Sequence, residues 1–213
     1  MEEITEKITD PEMRSQIEKV VSFHGYLSTG AFAGFQMLNL AKRILGVSNK
    51  DRLFVTCETY NCLPDPFQVL AGCTIGNKGL KILDHGKMAV TVTRRASAGS
   101  MVKGVRIMLD PAKTVRYPRL HAWFMKTEKI PHPEAISILL SAGESVYTYK
   151  ILDLEAPEKP RKKIAICECC KESFVQRDEE MLCVACLEHS LKGPESTTFH
   201  LAAHVIGKRR SPK

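Results

Sequence analysis

Four cysteines near the C-terminal end of the sequence have the spacing of a metal-binding site. Twelve residues separate two C-x-x-C pairs, which are Cys167 with Cys170 and Cys183 with Cys186. A C-x-x-C turn brings two thiolates to one ion at about 2.3 Å, and two such turns complete a tetrahedron around zinc. We therefore predict a structural zinc site at these four residues, while noting that a rubredoxin-like iron site uses the same ligands.

Cys169 lies inside the first pair and leaves an alternative open. A C-x-C pairing of Cys169 with Cys167 would also place two thiolates side by side. We favour the symmetric register, in which Cys170 and Cys186 are the second ligand of each pair. A chance cluster of reduced cysteines is the remaining interpretation, but eight cysteines in a chain without a secretion signal are better explained as metal ligands or reactive thiols.

The segment that carries these cysteines is too short to fold on hydrophobic burial alone. About 25 residues bury little surface, so metal binding should contribute most of the folding free energy. We predict a zinc ribbon in which residues 173–175 and 181–182 form a two-stranded hairpin.

A second group of potential ligands lies far upstream in the sequence. His24 follows a predicted helix, while Cys57, Cys62 and Cys73 lie at the ends of a predicted strand and a short helix. Such junctions commonly project functional groups into a pocket. The alternative is that the cysteines are small buried hydrophobes and that His24 is an ordinary core or surface residue.

The elements that position His24 are two predicted helices. Residues 11–23 have an amphipathic pattern, with Asp10 as N-cap and Pro11 at the first helical position, and they end at His24 before Gly25. A second helix follows and stops before Gly46. It is too apolar for an exposed surface, so we expect it to be buried, and its character favours a dimer.

The cysteines of the second group depend on β-prone segments and one short helix. Residues 53–56 read as a strand that ends at Cys57, and Pro64 suits the entry to a helix through residue 70. Residues 80–83 and 88–93 look like a β-hairpin, residues 102–109 and 146–152 like strands, and residues 133–140 like a helix. The predicted fold class is α+β, with N-terminal helices packed on a mostly antiparallel sheet and a small C-terminal zinc ribbon.

Several of these residues together resemble a known protein family. The chain is similar to the FmdE-like family associated with molybdenum- or tungsten-dependent formylmethanofuran dehydrogenase, through these residues: Phe23-His24-Gly25, Glu58, Cys62, Asp65, Gln68, Gly72-Cys73-Thr74, Gly76, and the turn Asp84, Gly86, Lys87. The resemblance implies an α+β body with a pocket lined by the His-Gly loop and the nearby cysteines. It also implies a C-terminal zinc ribbon and homodimers.

The chain departs from the family pattern at one important place. Where the family has His-Gly-His-x-Cys-Pro-Gly, Tyr26 and Ser28 replace a histidine and a cysteine. The resemblance therefore leaves His24, Cys62 and Cys73 for a second metal or ligand site, with Cys57 as a substitute ligand. Tyr26 and Ser28 would otherwise hydrogen-bond a bound molecule.

Composition and charge set the domain boundaries that we predict. The chain of 213 residues has a net charge of +7, with +4 in residues 159–163 and +4 in residues 208–213, whereas residues 164–188 carry −4. We assign residues 1–154 to the body, 155–163 to a linker, 164–190 to the four-cysteine ribbon and 191–213 to a basic tail. No segment has the roughly 20 apolar residues of a membrane span, and we expect a cytoplasmic protein.

Three functions are compatible with these patterns. The first is a zinc-containing metal-binding protein of the FmdE type, accessory or related to a molybdenum or tungsten oxidoreductase. The alternative is a zinc-ribbon nucleic-acid-binding or regulatory protein that uses the basic linker and tail, although the acidic ribbon is a poor match for phosphates. An enzyme with an open zinc site comes last, because no general base stands out beyond Asp65 and Glu58.

Overall fold

The structure, a computed structural model, describes residues 8–156, 162–176 and 179–192. The chain divides into two compact units, Met1–Glu158 and Lys159–Lys213. The first unit, which we call the body, contains α1 (Pro11–His24), α2 (Thr29–Leu45), β1 (Leu53–Cys57), α3 (Asp65–Ala71), β2 (Leu80–Ile82), β3 (Ala89–Arg94), β4 (Met101–Leu109), α4 (Pro111–Thr114), α5 (Pro118–Met125), α6 (His132–Ala142), a 3₁₀ turn (Gly143–Val146) and β5 (Tyr147–Glu155).

The body is built on one five-stranded sheet with the order β2-β1-β3-β4-β5. The β1–β3, β3–β4 and β4–β5 pairs are antiparallel, and β1 pairs with β2 in parallel. The predicted α+β class with a mostly antiparallel sheet is therefore confirmed.

Capping residues fix the ends of the two N-terminal helices. The Asp10 carboxylate accepts the Glu12 backbone N–H at 2.9 Å and starts α1, which ends where Gly25 adopts a φ of 94°. The Ser28 hydroxyl accepts the Ala31 N–H at 3.1 Å and starts α2. The loop between the helices is thus held at both ends, next to His24.

Helix α2 forms the centre of the core. Phe32, Met37 and Leu38 are fully buried, and α2 lies against β3, β4, α3 and α6. Burial inside the body accounts for the apolar sequence of α2. That sequence is therefore no argument for a dimer, and any dimer must be argued from another surface.

The predicted hairpin of residues 80–83 and 88–93 is wrong, because β1 lies between its two strands. β2 pairs with β1, and β3 pairs with β1 on the other side. The backbone N–H groups of His85 and Lys87 both donate to the Glu58 carbonyl, at 3.1 Å each. These bonds tie the turn to the end of β1 and separate the two strands.

The described part of the C-terminal unit has one hairpin and one helix. β6 (Lys163–Ile166) pairs antiparallel with β7 (Ser173–Gln176), and α7 spans Val184–Lys192. The predicted strand at residues 181–182 is wrong: β7 pairs with the segment before the first cysteine pair, not with the one before the second. Most of the predicted linker and basic tail lies outside the described residues.

Candidate metal centre and body site

The four predicted zinc ligands lie close together in the C-terminal unit. The Sγ atoms of Cys167, Cys170, Cys183 and Cys186 are all within 4.8 Å of one another, and those of Cys170 and Cys183 are 3.9 Å apart. A tetrahedron with Zn–S bonds of about 2.3 Å has edges of roughly 3.8 Å, so the thiols have the spacing that the ion needs. Within the described residues this is the one such group of three or more His, Cys, Asp or Glu side chains.

The backbone of the C-terminal unit holds this four-cysteine site. The Cys183 N–H donates to the Cys167 Sγ at 3.3 Å, and the Cys167 N–H donates to the Glu172 carbonyl at 2.9 Å. The hydrogen bond from Cys183 is the largest of the effects that lower the pKa of Cys167 to about 6. A thiolate is the form that binds a metal ion, so this bond favours coordination.

Cys169 is exposed, and its Sγ is not one of the four clustered sulfur atoms. The two C-x-x-C pairs therefore converge in the symmetric register.

In the body, the structure pairs His24 with a carboxylate. His24 Nδ1 lies 2.6 Å from Asp65 Oδ2, and Gln68 donates to the other Asp65 oxygen at 3.3 Å. The pairing arises because α1 ends at His24 and α3 begins at Asp65. Asp65 thus fixes the orientation of the imidazole, as a carboxylate does for a histidine that binds a metal.

The other nitrogen of the His24 ring has no partner within the described part of the chain. His24 Nε2 is buried, and no protein group forms a hydrogen bond with it. A buried polar atom without a partner costs free energy, and such atoms in folded proteins call for an explanation such as a bound ligand, ion or water. We call the surroundings of this atom the body site.

Tyr26 and His132 complete the body site. The Tyr26 ring lies 4.9 Å from the His24 ring and 5.7 Å from the His132 ring, centroid to centroid. His132 Nδ1 accepts the Thr29 backbone N–H at 3.1 Å and lies 2.8 Å from the Thr29 hydroxyl oxygen. Tyr26 is half exposed, so the site opens to solvent.

The structure does not bring Cys73 to His24. Cys73 is 1% exposed and follows the C-terminal end of α3, whereas Asp65 and its partner His24 lie at the N-terminal end, on the order of 10 Å away along the helix. The Cys73 thiol donates to the Leu53 and Ala71 carbonyls, and burial raises its pKa to about 11. Such a thiol is a poor metal ligand at neutral pH.

The two remaining cysteines also lack a metal-binding environment. Cys57 is buried, its thiol donates to the Thr59 carbonyl at 3.4 Å, and burial raises its pKa to about 11. Cys62 is half-buried opposite Gly30 in α2, where a Cβ on the glycine would lie 3.4 Å from the cysteine Cβ. His24, Cys62 and Cys73 therefore do not converge within the described residues.

Sequence reasoning missed His132 because we assigned it to a loop. The sequence signal was Pro133 immediately after it, since proline favours the first turn of a helix and His132 is the first residue of α6. Its pairing with Thr29, 103 positions away in the chain, had no sequence signal.

A small cavity of about 160 Å³ lies elsewhere in the body, lined by α1, α2 and α3 residues that include Glu12, Lys19 and Lys42. None of the predicted site residues lines it.

Comparison with known proteins gives a family match to the body. The profile of a family described as "FmdE, Molybdenum formylmethanofuran dehydrogenase operon" matches residues 23–155. The matched range contains His24, Asp65 and His132 and ends before the four-cysteine site.

Two individual proteins are similar to the chain. A solved structure of an FmdE-like protein of tungsten formylmethanofuran dehydrogenase from Syntrophus aciditrophicus has a TM-score of 0.68 and 29% identity, and it covers 84% of this chain and 93% of that chain. A "Probable S-adenosyl-L-methionine-binding protein" from Archaeoglobus fulgidus is 35% identical over 101 residues. That alignment covers 45% of this chain but 26% of the relative, so the chain spans about a quarter of that protein's length.

Among the described residues, no helix combines the length and the apolar character that crossing a membrane requires.

Proposed function

The chain belongs to the FmdE family, and from this premise we propose that it is a zinc-containing accessory protein of a molybdenum- or tungsten-dependent oxidoreductase. The observation that carries the metal-binding part is the group of four cysteine Sγ atoms within 4.8 Å of one another. The accessory role rests on the family, whose description links it to a formylmethanofuran dehydrogenase operon.

The four-cysteine site would hold zinc in a structural role. All four ligands come from the protein, which leaves no open position for a substrate, as is typical of structural rather than catalytic zinc. Among the described residues of the C-terminal unit, the other large apolar side chains are mostly exposed, including Ile164, Ile166 and Val184. Zinc would therefore supply the folding free energy that this unit lacks from burial.

The body site would bind the ligand that makes the protein specific. Its support is the buried, unpartnered His24 Nε2, which Asp65 orients from the opposite side of the ring. We place His24 at the centre of this site, whereas Cys73 lies too far along α3 to take part.

We further propose that the protein is a cytoplasmic homodimer. The support for the dimer is β5, which is the edge strand of the sheet and carries Tyr149 and Ile151 at 50% and 58% exposure. Exposed edge strands of this length tend to pair with another chain.

Metal analysis of the purified protein tests the proposal. We expect about one zinc per chain in the wild type, none in Cys170→Ser, and full occupancy in the matched control Cys169→Ser, because Cys169 is not one of the four converging ligands. Iron in place of zinc, or equal loss from both variants, would refute the assignment of the metal or of its ligands.

The accessory role needs a separate experiment. Co-expression with the polypeptides of a tungsten formylmethanofuran dehydrogenase should yield a complex that survives size-exclusion chromatography. If the protein instead shifts DNA or RNA, and the shift disappears as salt rises, the alternative of a nucleic-acid-binding protein replaces this proposal.

A further inference from the structure

Hydrogen bonds in the body site determine which His24 nitrogen carries a hydrogen. A carboxylate can only accept, so Nδ1, 2.6 Å from Asp65, must carry the hydrogen. In the neutral imidazole, Nε2 then presents a lone pair. This is the buried atom that lacks a partner within the described part of the chain.

His132 has the opposite arrangement. The Thr29 backbone N–H donates to Nδ1, so Nδ1 cannot carry a hydrogen, and the Thr29 hydroxyl must donate to it as well. The hydrogen of the neutral ring therefore lies on Nε2. Burial, followed by the charges of Lys126 and His24, lowers the pKa of His132, which favours this neutral form.

These tautomers do not suit a metal ion. A metal ligand must offer a lone pair, and His132 has none free, because Thr29 occupies Nδ1 and Nε2 carries the hydrogen. Tyr26 and Ser28 stand where the family pattern has a histidine and a cysteine. Within the described residues, His24 belongs to no group of three ligand atoms that could hold an ion.

We propose that the body site binds a neutral organic group with a hydrogen-bond donor beside an acceptor, such as an amide or an alcohol, instead of a metal ion. His24 Nε2 accepts the ligand's hydrogen, and the His132 Nε2–H donates to its oxygen. Both imidazoles contact the Tyr26 ring, whose half-exposed face borders the site. A carboxylate cannot satisfy His24, because it has no hydrogen to donate. This inference rests on the proposed function only in taking the body site as a ligand site.

Nitrogen-15 NMR of the zinc-loaded full chain tests this inference, with formamide as the probe and formate as the matched control. Long-range proton–nitrogen correlations should show His24 with hydrogen on Nδ1 and His132 with hydrogen on Nε2. Formamide should shift both rings saturably, and formate at the same concentrations should not. Excess zinc should leave the His24 signals unchanged.

Two variants separate ligand binding from folding. His24→Asn keeps a donor for Asp65, and His132→Asn keeps an acceptor for Thr29, but each lacks Nε2. We expect each to weaken the formamide response about tenfold while the backbone spectrum stays native, which corresponds to the loss of one hydrogen bond.

Three results would overturn the inference: zinc that shifts the His24 ring and exceeds the content of the four-cysteine site, hydrogen on Nδ1 of His132, or formamide that shifts the rings no more than formate. Failure of the metal-binding proposal would appear separately, as wild-type protein without zinc, because that readout comes from the cysteines.

Discussion

Glu58 and Arg106 form a bidentate ion pair where β1 ends and β4 crosses the sheet. The two nitrogen–oxygen distances are 2.6 and 2.9 Å, and Glu58 is only 7% exposed. The sequence leaves Glu58 as a candidate general base, but the Arg106 guanidinium lowers its pKa, mainly through these hydrogen bonds. A carboxylate held in this way is a weak base, so Glu58 has a structural role.

Arg106→Met should therefore destabilise the body by about 3 kcal/mol at neutral pH, because it leaves a buried carboxylate without its main partner. The pKa of Glu58 is lower in the folded than in the unfolded state, so the pair stabilises the protein above the unfolded value of about 4.3. Its contribution is lost as the pH falls through the folded pKa. In urea titrations, the difference between wild type and variant should be largest near pH 7 and shrink below about pH 4.

Arg119 provides the matched control for this prediction. It also forms two hydrogen bonds to one carboxylate, that of Glu134, but both side chains are exposed. Arg119→Met should cost less than about 1 kcal/mol. Equal costs for the two variants, or a difference that does not depend on pH, would contradict the argument from burial.

Elements that follow local rules were predicted well. α1, α2, β1, β4 and α6 lie within a few residues of their predicted positions, because capping residues and apolar periodicity specify them locally. The order of the sheet was not predicted, since nothing in the sequence near β2 and β3 shows that β1 lies between them. The spacing of the cysteine pairs is local information, whereas the placement of Cys73 away from His24 depends on the direction of α3.

The contact between α2 and the segment before α3 depends on a glycine. A Cβ at Gly34 would lie 2.3 Å from the Leu63 carbonyl oxygen, which real Cβ atoms do not approach. Gly34→Ala should lower the free energy of unfolding by about 2 kcal/mol, because the backbone must shift by more than the gain in helix propensity offsets. Thermal unfolding should show a decrease in Tm of about 4–8 °C.

Gly30 in the same helix is the control for this substitution. A Cβ there would meet the Cys62 Cβ at 3.4 Å, which is an ordinary contact. Gly30→Ala should change stability by no more than about 0.5 kcal/mol. A Gly34→Ala protein as stable as the wild type would show that α2 and the Leu63 backbone separate easily.

At the scale of the whole molecule, the two units should differ in what stabilises them. The body has a continuous buried core, whereas Cys167 is the one buried hydrophobic residue among the described residues of the C-terminal unit. Chelation of zinc should therefore remove the cysteine-dependent unfolding transition and leave the body transition in place. Calorimetry with a chelator, followed by zinc addition, measures this; loss of both transitions would contradict it.

The proposed dimer can be tested at the uncovered edge of the sheet. Ile151 and Tyr149 pair with Val105 and Ile107 of β4, which are buried on the same face, so the helices leave the outer part of this face open. Met101, 66% exposed, extends the apolar surface. In an antiparallel β5–β5 pair centred on Leu152, Lys150 of one copy would lie between Asp153 and Glu155 of the other, which favours self-association.

Ile151→Lys should convert the dimer to a monomer, because a charge on an edge strand opposes pairing with another chain. Ile75→Lys is the matched control, since Ile75 is 65% exposed but lies outside the sheet, between α3 and β2, and it should leave the dimer intact. Sedimentation velocity gives the mass of each variant, and circular dichroism verifies that it is folded. A wild-type monomer would remove the dimer from the proposed function, and a dimeric Ile151→Lys protein would move its interface away from β5.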